Sequence, residues 1–293
     1  MCIISEAVES VGKTKILVAP DATGTRQITI YSNCVENYSH DNAMLLPVPN
    51  PQTVSFHDLT KYKQIFTDCD NSFNKPVARG FNIDEFNNTT SYELNVFDVG
   101  SYKVSLAMNI TDLHRVNKSV FSLSNGCYEM MSQEYSDPVF GFIICKLNTG
   151  SESYHPIGYS HNLYNGKMFI PTKHYHAHNN LKNSGSTEQF NIINGTNAAS
   201  TNSVLETNLV GTEDWDHEIY LYNGTNKSNK QFIQMSKNDE YWTNENLIKT
   251  NLINFPFSKL GHFEKHKISG YQKNIDLYAN VNNISNNKIG LVY

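Results

Sequence analysis

The chain has 293 residues, of which 39% are hydrophobic and 17% charged, and its net charge is −5. Charge is scarcer than the globular average of about 25%, and the acidic balance gives no electrostatic reason to expect a nucleic-acid partner. No apolar run approaches the roughly 18 residues of a membrane span, and the opening Met1-Cys2-Ile3-Ile4-Ser5-Glu6 has neither the basic region nor the apolar length of a secretion signal.

Five cysteines (Cys2, Cys34, Cys69, Cys127, Cys145) are odd in number, widely spaced and without a C-x-x-C pair. They read as reduced thiols of a cytosolic setting rather than a disulfide framework.

In chain order, Thr14–Ala19 and Gln27–Ser32 read as two strands of a hairpin, joined through Pro20-Asp21-Ala22-Thr23-Gly24. Met44 to Pro51 carries three prolines at alternate positions, which predicts an edge or a rigid extended crossing instead of a central strand. Asp58 to Asp70, with Leu59, Tyr62, Ile65 and Phe66 at helical spacing, predicts a short helix, and a second is expected near Asn82–Phe86. Strand-like runs follow at Tyr92–Val99, Tyr102–Met108, Val139–Leu147, Tyr154–Tyr159 and Lys167–His174, with Asn148-Thr149-Gly150 as a hairpin turn. Residues 179–207, rich in Asn, Ser, Gly and Thr, read as a long insertion and as the one place where the chain could divide. His217–Tyr222 resumes as a strand, Lys259–Lys267 is a mildly basic stretch expected to be a solvated face, and Ile275, Leu277, Ala279 and Val281 alternate. The expected fold is therefore predominantly β (α+β), with antiparallel sheets in a sandwich-like or barrel-like arrangement and one or two short helices. It forms a single domain over residues 1–293.

Three constellations could carry chemistry. His174, His176 and His178 sit at alternate positions, so on one strand their rings would share a face. Asn165-Gly166 is a two-residue hairpin signal; closing there would set Tyr164 against Lys167 and His155 against His176. This gives up to four imidazoles for zinc or another first-row divalent metal. The bland reading is a polar strand end where the rings stack on tyrosines. Next, Glu213 to Glu218 places acids at alternate positions. Asp216 and His217 could orient metal ligands from behind, or the run could simply be an acidic approach to a strand. Last, Cys2 would become an N-terminal nucleophile if Met1 were removed, although the downstream signatures of such amidohydrolases are missing.

Thr25 to Asn33, followed by Asn42-Ala43-Met44-Leu45-Leu46-Pro47-Val48-Pro49-Asn50-Pro51, resembles uncharacterised proteins of giant double-stranded DNA viruses of the marseillevirus and mimivirus type. It is loosely similar to uncharacterised bacterial domains with a Leu-Pro-Val-Pro segment. Phe169 to His176 and Asp216 to Tyr220 extend the resemblance. It implies a virus-encoded protein of the virion or host cytoplasm and supplies no catalytic residues. The expected function is non-enzymatic: a virion component or protein-interaction module whose partners are proteins. The alternatives are a metal-dependent hydrolase built on His174, His176 and His178, and an amidohydrolase using Cys2.

Overall fold

The computed structural model describes residues 3–21, 24–37, 41–74, 93–153, 155–175, 212–222, 240–243 and 263–281. Two open sheets face one another. The five-stranded sheet contains β1 (Ile3–Ile4), β4 (Asn42–Pro49), β6 (Phe97–Val99), β7 (Tyr102–Ala107) and β8 (Phe140–Leu147), in the order β1-β4-β8-β7-β6. The eight-stranded sheet contains β2 (Ser10–Pro20), β3 (Arg26–Asn37), β5 (Ser55–His57), β9 (Gly150–Ser153), β10 (Ile157–Asn162), β12 (Thr212–Tyr222), β13 (Glu240–Thr243) and β14 (Phe263–Lys273). Its order is β13-β14-β12-β2-β3-β10-β5, with β9 also on β3. A separate ribbon pairs β11 (Lys167–Ile170) with β15 (Leu277–Asn280).

The expected β-rich sandwich is what the chain forms. One pairing is not antiparallel: β12 lies parallel to β2, with His217 opposite Thr14 and Leu221 opposite Val18. Parallel neighbours need a long crossover, and the chain between β2 and β12 is long enough to return in that sense.

Packing is four layers deep. Between the sheets lie Ile16, Val18, Tyr31, Met44, Leu46, Val48, Ile143, Cys145, Ile157, Tyr159, Trp215 and Ile219. The outer face of the five-stranded sheet (Leu45, Phe142, Ile144) is covered by α2 (Asn125–Glu134) through Cys127, Met130 and Met131. The outer face of the eight-stranded sheet (Leu17, Ala19, Ile28, Ile30) is covered by α1 (Ile65–Asn74) through Ile65, Phe66 and Cys69. Strands covered on both sides lose the alternation of a one-sided sheet and become continuous apolar runs. This explains why all eight residues of β4 are buried.

The prolines of β4 have a consistent place. Ser5 N–H donates to the Ala43 carbonyl and Asn50 N–H to the Val139 carbonyl, so odd positions of β4 face the β1 side and even positions face β8. Pro47 and Pro49 therefore turn their donorless nitrogens to the side where β1, paired only at Met44 and Leu45, has already ended. The strand is internal by order yet behaves as an edge at its prolines, which corrects the expectation of no central strand.

Three further expectations change. The helix begins at Ile65 and is preceded by a 3-10 turn over Thr60–Tyr62, because Lys63 and Gln64 form a turn between two short amphipathic pieces. Asn148–Gly150 is not a hairpin: β8 belongs to one sheet and β9 to the other, so the turn arches between layers. α2, with Ser124 capping it through a bond from Cys127 N–H, was not expected from the periodicity. The Asn82–Phe86 helix and the insertion at 179–207 lie outside the described residues.

Candidate functional site

Asn165-Gly166 does make the expected two-residue turn. Tyr164 and Lys167 exchange backbone hydrogen bonds at 3.0 and 2.9 Å, and Asn165 and Gly166 have φ of 51° and 72°, as a type I′ turn requires. The ladder stops after that single bridge. β10 continues on β3, with Ile157 opposite Tyr31, while β11 pairs with β15. Consequently Ile157 does not face His174, and the register that would have set His155 against His176 does not exist. Pro171 ends β11 one residue earlier, and Thr172–His174 is held by side chains instead of a ladder.

That clamp is specific. Asp276 Oδ1 accepts from the N–H groups of Thr172 and Lys173, both at 2.9 Å, and its Oδ2 accepts from Tyr135 OH at 2.5 Å. Thr172 OH donates to the Ile275 carbonyl at 2.8 Å. His174 N–H donates to Asn274 Oδ1 at 2.7 Å, and Asn274 Nδ2 donates back to the His174 carbonyl at 2.9 Å. Burial raises the Asp276 carboxyl above its ordinary value even though its hydrogen bonds favour the anion. Beyond the clamp, the Tyr175 carbonyl accepts from Ile4 N–H at 2.7 Å, which ties this segment to β1.

The ring of His174 is buried and stacks on His217 (centroids 4.8 Å apart, 20° between planes) and on Trp215 (5.4 Å, 26°). Alternation along β12 turns Trp215, His217 and Ile219 inward and leaves Asp216 exposed. On the neighbouring β14, His266 lies opposite Ile219 and is also buried. The described part of the stretch expected to be a solvated face, from Phe263 onward, is thus strand with His266 inward, as is Ile268 just beyond it. No local signal distinguished those two residues except their period of two. Two imidazoles, His174 and His217, therefore stack at this end of the inner core. His176, His178 and Cys2 lie outside the described residues. Among the described residues, no group of three or more His, Cys, Asp or Glu side chains is placed to hold a metal ion.

His155 and Asp216 have other employment. His155 Nε2 accepts from Ser101 N–H at 2.6 Å, its Nδ1 donates to the Pro156 carbonyl at 2.7 Å, and its own carbonyl accepts from Tyr102 OH at 2.9 Å. With one nitrogen donating and the other accepting, the neutral ring has no lone pair left for a cation. Asp216 Oδ2 accepts from Lys13 N–H at 2.9 Å. It thereby fastens the bulge in β2 where Lys13 has φ 53° and the register with β3 shifts.

The densest charge cluster lies on the outer face of the eight-stranded sheet. Lys15 Nζ meets Asp70 at 3.0 Å and Glu218 at 2.8 Å; Lys265 Nζ meets Asp70 at 2.6 Å and Glu218 at 2.9 Å. Tyr220 OH donates toward Asp70 at 2.7 Å, and Lys265 lies over the Tyr220 ring at 5.4 Å. Burial would raise both acids, but bonds from Lys265, Tyr220 and Lys15 hold Asp70 below its ordinary value, and Lys15 and Lys265 do the same for Glu218. The ring of alternating charges bolts α1 to β2, β12 and β14. Glu218 was legible as an outward residue of an alternating strand, whereas its partners come from segments remote in sequence.

No family model matches the chain. Among solved structures, it is similar to baculovirus P35, with a TM-score of 0.43 and 13% identity over 95% of this chain and 99% of that one. It is also similar to a mutated baculovirus P35 after caspase cleavage, with a TM-score of 0.44 and 12% identity over 92% of this chain and 98% of that one. A third similar structure is P35 in a caspase-8/P35 complex, with a TM-score of 0.41 and 10% identity over 92% of this chain and 96% of that one.

Proposed function

We propose that this chain is a virus-encoded module that acts by binding a protein partner, in the virion or the host cytoplasm, and performs no chemistry of its own. One observation carries the reading: Cys69, Cys127, His57, His161, Asp70, Glu218 and Asp276 are each buried in the packing or bonded between its layers. Burial pushes the Cys127 thiol up to about 12 and raises Cys69 as well, so neither is a thiolate nucleophile. His57 and His161 are driven down to about 4 by burial, with the Arg26 charge adding to it, and stay neutral within the sheet. Asp70 and Glu218 are committed to lysines, and Asp276 to a backbone clamp. Such a scaffold presents surface rather than a reaction centre.

The metal-dependent hydrolase reading built on His174, His176 and His178 draws two of its three ligands, and the Cys2 amidohydrolase reading its nucleophile, from outside the described residues. A caspase is the first partner to try, as the one named with the solved neighbours, although the proposal stands on the geometry above. The test is to mix the purified chain with active caspases and follow both co-elution in size-exclusion chromatography and cleavage of a fluorogenic peptide. Co-elution with loss of cleavage supports a caspase partner. Full cleavage and separate elution across the panel removes caspases as the partner class.

A further inference from the structure

Arg26 opens β3 opposite Asn162 of β10, on the outer face of the eight-stranded sheet near its last described strand, β5. Its Nη1 donates to Asn162 Oδ1 at 3.3 Å. Its Nη2 donates to the Thr53 carbonyl at 2.9 Å and Ser160 Oγ at 3.2 Å, with Ser55 Oγ at 3.5 Å. Every one of these acceptors is neutral. A guanidinium carries five N–H groups, so Nε–H and one Nη1–H have no acceptor among the described residues. The hydroxyl protons of Ser55 and Ser160, which face each other across the β5–β10 pair, likewise have none. The half-buried guanidinium is held by groups of β5, β10 and the turn before β5, and no carboxylate among the described residues forms an ion pair with it; the nearest one shown, Asp21, accepts instead from the backbone N–H of Arg26 at 3.2 Å. The same charge adds to burial, the larger cause, in lowering His57 and His161.

We propose that Arg26, with Ser55 and Ser160, is a receptor for a carboxylate presented by an Asp, a Glu or a chain terminus of a partner protein. A carboxylate oxygen on Nε–H lies along the guanidinium edge that Nη2 closes, where its second oxygen can share the Nη2 donors now spread over three neutral acceptors, and each oxygen has a further lone pair for a serine hydroxyl. The rigid sheet removes most of the ordering cost that a surface arginine would incur. The inference extends the protein-binding reading to the chemistry of the partner and relies on it only for the source of the carboxylate.

The site is tested alone, with small probes. The chain labelled with nitrogen-15 is titrated with N-acetyl-aspartate methylamide, with inorganic phosphate and with chloride at matched ionic strength, following the backbone amide resonances of Ser55 and Ser160 in every form and the arginine Nε–H resonances in the parent chain. The expected result is a saturable shift of those resonances with the aspartate probe, with the backbone amide shifts absent in Arg26→Gln and at least about tenfold weaker in affinity in Arg26→Lys, which keeps the charge but loses the planar set of donors. The double variant Ser55→Ala/Ser160→Ala, which leaves the arginine and its bonds to Asn162 and the Thr53 carbonyl in place, is expected to bind several-fold more weakly. No saturable shift with any probe, or equal binding in the double variant, overturns the proposal. Saturation by phosphate but not by the aspartate probe overturns the carboxylate assignment. Because the probes are small molecules, failure here leaves the wider partner reading to be judged by the caspase mixing experiment.

Discussion

Buried histidines set the acid response of this protein. His57 and His161 have folded-state values near 4 against an ordinary value of 6.5. Each is a base depressed by folding, so the stability it leaves intact above pH 6.5 is lost as pH falls toward 4, where the unfolded chain binds the proton and the folded one does not. The slope approaches about 1.4 kcal/mol per pH unit for each group. Denaturant midpoints measured between pH 7.5 and 4.5 should therefore fall steeply, and His57→Gln with His161→Gln should flatten the fall; an unchanged slope would contradict these assignments. Asp70 and Glu218 act in a lower window, since acids depressed by folding lose their contribution only as pH falls below the ordinary carboxylate range. Gly100 is a second point of residue-scale sensitivity. Its φ is +60°, and a Cβ there would stand 2.5 Å from His155 Nε2. Gly100→Ala should cost roughly 2 kcal/mol by thermal or chemical denaturation, from left-handed strain and displacement of that ring, whereas a cost near zero would show that the loop adapts freely.

At the level of elements, the two ways of holding an extended segment behave differently. β3 and β10 are held by a ladder that no single side chain controls. The segment after β11 depends on Asp276, whose oxygens satisfy two backbone donors and the Tyr135 hydroxyl. Asp276→Ala should cost about 2–4 kcal/mol, because those donors stay buried without partners. Hydrogen exchange should quicken at Thr172 and Lys173 more than in β3. Uniform exchange in both places would mean that the clamp does not act locally. Elements of this kind were only partly legible in the sequence. The first hairpin, β7, β8 and β12 were readable because β-branched and aromatic residues, ended by turn chemistry, report local preference. The Asn165-Gly166 turn was also readable, yet its strands were not: a two-residue turn fixes two φ angles and one bridge, while the partner of each strand is chosen by tertiary burial. α2 went unseen because its apolar residues Cys127, Met130 and Met131 are few and its cap is one serine.

The whole molecule is a four-layer stack in which helix, sheet, sheet and helix are joined by three separate apolar contacts. Sequence pattern reports strands buried on both faces, since runs such as Phe140–Leu147 leave no polar face. It does not report which runs share a sheet, nor the parallel placement of β12 beside β2. The histidine motif shows the same limit from the side of function. Its first member, His174, does stack on another imidazole, that of His217, which comes from a strand remote in sequence. The charge ring of Lys15, Asp70, Glu218 and Lys265 similarly joins residues from four elements. These long-range groupings serve packing, and the proposed function has the chain act through what its surface meets. Native mass spectrometry of the tagged chain, recovered after mild cross-linking from cells that express it, addresses that claim most directly. The account predicts a stoichiometric complex with a defined second protein. A chain recovered alone, and able to turn over an ester, amide or phosphoester substrate, would contradict it.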